Sequence, residues 1–146
     1  MLNQLQDVFR SFQSHDVKYV VIGGIAAVLY GVPRATFDLD ILIEATETNA
    51  QCLLDAMLEV NFGTAGLTNA KDVLSHEISV FQDRVRIDVQ TKTPGLTFTE
   101  AWTNRVTMKY HGQPFYVVSK MDLIKSKSAS GRDIDLEDVR ILKSTK

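Results

Sequence analysis

The sequence predicts an α/β (α+β) fold, a mixed twisted sheet flanked by helices, on three observations. Runs with helical and strand periodicity alternate along the chain, glycines and prolines punctuate them, and no repeat, low-complexity tract or Pro-rich linker intervenes. Residues 1–146 are therefore expected to form one domain, large enough to bury a core with neither disulfides nor a structural metal.

Residues 2–14 carry Leu2, Leu5, Val8, Phe9 and Phe12 at spacings of three and four, which predicts a helix with one apolar stripe. Val17–Ile22 is rich in β-branched residues and reads as a strand that breaks at Gly23-Gly24 into a short helix over Ile25–Tyr30. Gly31 and Pro33 close that helix, and Thr36–Ile43 is the next strand. Thr46 is placed to cap a helix through Val60 whose Leu53, Leu54, Met57 and Leu58 cover the sheet. Residues 61–75 contain Gly63, Gly66, Asn69 and Asp72 and predict a loop with one short helix.

His76–Phe81 and Val85–Thr91 flank Gln82-Asp83-Arg84 as an antiparallel hairpin. After the Pro94-Gly95 turn, Phe98–Trp102 predicts a helical turn, and strands around Val106–Met108 and Phe115–Val118 pair about Gly112. Ser119 with Asp122 three residues on resembles a capping box opening a helix to Ala129, with Met121, Leu123 and Ile124 in apolar contact. Beyond Gly131, the residues Ile134, Leu136, Val139, Ile141 and Leu142 predict a last helix ending in Lys143 and Lys146.

A net charge of −2 speaks against extended duplex DNA as partner and leaves a short RNA end, a protein or a small molecule. The N-terminal stretch lacks the features of a secretory signal, there is one cysteine, and no 18-residue apolar run is present, so a cytoplasmic protein with no membrane contact is expected. His15, His76 and His111 have no metal-ligand spacing; Cys52 reads as a small buried residue, and Trp102, Tyr110 and Phe115 as packing residues.

Asp38 and Asp40 lie two apart in a predicted strand, so both point to one face while Leu39 and Ile41 point to the other. Paired carboxylates repel, and a divalent cation would offset that repulsion with hard oxygen ligands. Asp88 supplies a third acid if its strand is a neighbour; the alternative is a solvated acidic strand end. The Gly23-Gly24 bend before the acidic strand would let backbone N–H groups approach phosphate, or is a tight turn alone.

Gly23–Gly31, followed by Arg34-Ala35-Thr36-Phe37-Asp38-Leu39-Asp40, closely resembles the signature of the polymerase-beta-like nucleotidyltransferase superfamily, nearest to small bacterial members related to abortive-infection toxins. The resemblance implies a minimal nucleotidyltransferase fold and Mg²⁺-dependent transfer of a nucleoside monophosphate from an NTP to an RNA end, protein or small molecule, with pyrophosphate released. By the same resemblance Gly23 and Gly24 hold the triphosphate, Asp38 and Asp40 bind paired Mg²⁺ ions, and Asp88 completes the set. The Gly-Gly pair stands where many members have Gly-Ser, which removes one hydroxyl donor.

Arg34 and Thr36 match positions before the acidic strand, as a phosphate ligand and a local donor; otherwise they are a turn arginine and a β-forming threonine. Residues 119–138 resemble a second block of the group. There Lys127 and Arg132 are implied as phosphate or acceptor contacts and Asp135 as an orienting partner, whereas Asp138 is expected to be a surface or helix-pair residue. Lys120, Lys125, Lys127 and Arg132 against Asp122 give residues 119–132 a local formal charge of +3, enough to offset part of a triphosphate. An antitoxin partner or a homo-oligomer is also implied. The competing expectation is a catalytically inactive nucleotide-binding or regulatory protein.

Overall fold

The computed structural model describes residues 2–145 and is built on a six-stranded mixed sheet. In spatial order the strands are β3 (Ile78–Gln82), β4 (Arg86–Gln90), β2 (Asp38–Ile43), β1 (Tyr19–Ile22), β6 (Gln113–Val117) and β5 (Val106–Tyr110). The β1–β2, β3–β4 and β5–β6 pairs are antiparallel, whereas β2–β4 and β1–β6 are parallel. Both expected hairpins are present, one at each edge of the sheet.

Helices α1 (Gln6–Ser14) and α3 (Glu47–Glu59) supply the apolar layer. On α1 the expected stripe is buried: Val8, Phe9 and Phe12 are at most 1% exposed, and Phe9 stacks on Phe115 with ring centroids 4.6 Å apart. Thr46 caps α3 as expected, its hydroxyl accepting the Asn49 N–H at 3.2 Å. On the central strands Leu39, Ile41 and Ile43 are fully buried, so one face of β2 is committed to the core and the other remains for chemistry. No helix among the described residues is long and apolar enough to cross a membrane.

Five details depart from the sequence expectation. Residues 61–75 form a 3₁₀ turn at Gly63–Leu67 as well as α4 (Ala70–Ser75), and α2 (Gly23–Leu29) starts on the glycines themselves. Ser119 does cap α6 (Lys120–Ser130), but the reciprocal capping box belongs to Thr97 and Glu100 at the start of α5 (Phe98–Thr103). Cys52 is half-buried, at the margin of the core. On α6 and α7 (Asp133–Ser144) hydropathy is partly inverted: Met121, Ile134 and Leu136 are exposed, while Asp122, Lys127, Asp135 and Asp138 are buried.

Candidate active site

The parallel register of β2 and β4 sets Asp40 opposite Asp88 and Asp38 opposite Arg86. Because side chains directly opposite share a sheet face, the three acids converge on the face that Leu39 and Ile41 leave open. The antiparallel register of β1 then brings Ile22 opposite Asp40 and delivers the next residue, Gly23, to the same place.

Each glycine answers to a side chain of the β2 segment. Gly23 adopts φ +71°, and a Cβ there would overlap the Asp40 carboxylate, lying 2.9 Å from Asp40 Cγ. A Cβ on Gly24 would lie 2.8 Å from Thr36 Oγ1. The Gly-Gly bend therefore seats Asp40 and Thr36 against the start of α2, a packing reason beside the expected phosphate one.

Burial pushes the Asp40 carboxyl up to about 7, helped by the charges of Asp88 and Asp38 and opposed by Lys127. Asp88 has a cationic partner, since Arg86 forks it with Nε at 2.8 Å from one oxygen and Nη2 at 3.2 Å from the other. Among the described residues no group of three or more His, Cys, Asp or Glu side chains is closed around a metal position. The donor chemistry nonetheless fits a hard divalent cation: three carboxylates, no thiol or imidazole, and an Asp40 that resists ionising beside two other acids. In such a set Asp88 would have to share its oxygens with the Arg86 fork.

Opposite the acids stands a second charged cluster, on α6 and α7. Lys127 is buried with Nζ 3.0 Å from Asp135 and 2.9 Å from Asp138. Arg34 reaches the same Asp138 at 2.7 Å, and Arg132 Nε meets Asp135 at 2.8 Å. Ser130 Oγ also donates to Asp135 at 2.5 Å. Burial alone would raise the Asp135 carboxyl, but the bonds from Ser130, Arg132 and Lys127 hold it below its usual value.

The expected +3 of residues 119–132 is thus largely spent inside the protein. Lys127 and Arg132 pair with α7 acids, Lys125 pairs with Glu100 at 2.7 Å, and Lys120 Nζ donates to the Thr145 carbonyl at 2.8 Å. Asp138 is a helix-pair residue, 1% exposed, and not a surface one.

A cleft of about 470 Å³ runs between the two clusters and is bordered by Gly23, Asp38, Asp40, Asp88, Lys127 and Arg132. Six of the residues expected at the site meet there. Gly24, Arg34 and Thr36 do not border it: Thr36 packs at Gly24, and Arg34 braces Asp138. A hollow of similar size near Tyr19, Trp102 and Tyr116 holds none of the three acids. Sequence reading missed Arg86, although an arginine two residues before an acid on one strand shares its face. It also missed the Lys127–Asp138 pair, whose only signal is a run of acids at apolar-looking helical positions.

The family model described as Nucleotidyltransferase of unknown function (DUF6036) matches residues 2–143. No curated protein matches this sequence. Among solved structures, a candidate nucleotidyltransferase from Thermotoga maritima has a TM-score of 0.63 at 16% identity, covering 96% of this chain and 90% of its own. An antigenic nucleotidyltransferase-like protein from Paracoccidioides brasiliensis has a TM-score of 0.63 at 17% identity, covering 96% of this chain and 73% of its own. The lincosamide antibiotic adenylyltransferase LnuA, with lincomycin bound, has a TM-score of 0.55 at 16% identity, covering 92% and 91%. At these identities the likeness is one of fold.

Proposed function

Because this chain belongs to that family of nucleotidyltransferases, we propose that it transfers a nucleoside monophosphate from an NTP to a hydroxyl acceptor, with Asp38, Asp40 and Asp88 holding Mg²⁺. The observation that carries the reading is the β2–β4 register, which sets Asp40 against Asp88 and opens all three acids into the cleft beside Gly23. Mg²⁺ at these carboxylates would neutralise phosphate oxygens and make the attacking hydroxyl more acidic.

The chain's own residues position and balance charge. Gly23 keeps the strand end clear of any Cβ, so Asp40 stays seated at the cleft floor. Lys127 sets a positive charge across from the acids while remaining tied to Asp135 and Asp138, which keeps it pre-oriented. Arg132, paired through Nε but with 73% of its side chain exposed, is free to turn its guanidinium edge toward a triphosphate. In the transfer a bond forms between the acceptor oxygen and the α-phosphorus, and the bond to pyrophosphate breaks.

One observation favours a second reading, a regulatory nucleotide-binding protein: the Arg86 fork that occupies Asp88. Pyrophosphate release measured with ATP, CTP, GTP and UTP, with Mg²⁺ and RNA, protein and small-molecule acceptors, separates the two. Transfer predicts metal-dependent release that Asp38→Asn lowers on the order of 10³-fold without unfolding the protein. Nucleotide binding with no metal-dependent release from any acceptor supports the regulatory reading instead.

A further inference from the structure

The acid cluster is open on two sides. Besides the cleft already described, Asp38 borders a second hollow of about 520 Å³, whose other walls include Thr36, Phe37, Gln82, Arg84 and Arg86. Phe37, the residue directly before Asp38, is 79% exposed. A large aromatic surface left bare beside a polar hollow is a ready stacking platform, and covering it with a flat ring is favourable.

The two arginines of this hollow differ. Arg84 is engaged on three sides: it meets Asp7 at 2.6 Å, donates to the Val60 carbonyl at 3.2 Å and lies over the Phe62 ring at 4.9 Å. Arg86 bonds only Asp88 among the described residues, and Asp88 opens into the first cleft. A cation that takes Asp88 oxygens competes with the Arg86 fork, so metal loading on one side would loosen an anion-binding group at the wall of the other.

We propose that the second hollow is the acceptor site, and that it takes a phosphorylated ribonucleoside, free or at the end of an RNA. Its ring lies on Phe37, its phosphate meets Arg86, and its hydroxyl faces Asp38 between the two clefts. This rests on the transfer reading. The acceptor oxygen bonds the α-phosphorus, the bond from that phosphorus to the bridging oxygen breaks with its electron pair leaving on pyrophosphate, and the hydroxyl proton passes to solvent.

The test is equilibrium binding of two probes, AMP and a short oligoribonucleotide with a free 3′ hydroxyl, at saturating Mg²⁺ and a non-hydrolysable ATP analogue. The analogue should leave at least one probe bound, and Phe37→Ala and Arg86→Gln should each weaken that probe about tenfold or more while moving the affinity for the analogue less than about twofold. Both probes bound alike identifies a free nucleotide as sufficient; the oligoribonucleotide alone identifies an RNA end. In the nucleotide-free protein, Mn²⁺ binding read by electron paramagnetic resonance should tighten on the order of tenfold in Arg86→Gln, because the competing fork is gone.

Displacement of both probes by the analogue, or a loss of analogue affinity in Phe37→Ala, assigns the hollow to the donor nucleotide and overturns the inference. Failure of both probes to bind a protein that does bind the analogue overturns it too, and leaves the transfer reading standing. A wild type that binds no NTP analogue overturns the transfer reading itself.

Discussion

The acid face of β2 and β4 and the facing α6–α7 pair line one cleft and manage buried charge in opposite ways. On the helices the buried acids Asp135 and Asp138 each meet two cations, so their charge is answered within the protein. On the sheet, Asp40 has two acids for neighbours and a carboxyl pushed up to about 7 by burial and by their charge. Answered charge holds its geometry from within the chain, whereas the acid face carries a repulsion that the proposed Mg²⁺ would relieve.

The largest effect that would sharpen this contrast is in pH. The Asp40 carboxyl ordinarily titrates at 3.8 and in the folded chain at about 7, so between those values the folded state keeps a proton that the unfolded state has released. Stability should therefore fall as pH rises from about 4 to about 7 and then level, by on the order of 4 kcal/mol for this group. Denaturant midpoints across that window check it, with Asp40→Asn expected to remove most of the slope. A wild-type curve no steeper than that of the variant would mean the acid face is not strained by its charge.

The helix cluster should break next. Lys127→Met leaves Asp135 and Asp138 with one cation each, Arg132 and Arg34. The expected loss is about 3 kcal/mol, the low end for removing one partner of a buried pair, because some compensation remains. Chemical unfolding measures it. Gly23→Ala should cost about 2 kcal/mol, combining a left-handed backbone with overlap at Asp40, and should displace that acid; equal Mn²⁺ affinity in the variant would contradict the seating described above.

The smallest effect comes from the same helix. Lys125 is exposed and pairs with an exposed Glu100, so Lys125→Ala should leave the unfolding midpoint unchanged, two residues from a lysine that matters greatly.

What was legible in the sequence follows the same division. Asp38 and Asp40 could be paired from strand alternation alone, because a period of two is local. Asp88 could be named but not joined to them without the resemblance, since a parallel β2–β4 contact spans about half a hundred residues of intervening chain and leaves no local mark. The spacing of Ile134, Leu136, Val139, Ile141 and Leu142 locates α7, yet Ile134 and Leu136 face outward, as does Met121, for which apolar contact is expected on α6. Apolar periodicity locates a helix and then fails to orient it where the protein buries acids instead. Arg34, expected as a phosphate ligand, braces Asp138, a contact set by tertiary packing across 104 residues.

The parallel β2–β4 pairing also bears on how the molecule matures. Its two acidic strands are separated by α3, the 3₁₀ turn, α4 and the strand of an edge hairpin, a stretch that has to be folded back for Asp40 to stand beside Asp88. Closing a loop of that length costs chain entropy before the contact rewards it, and the mutual repulsion of the acids adds to that cost. A chain that stops short of this pairing holds its carboxylates apart, so the three-acid cluster exists only in a chain whose β2 and β4 have met.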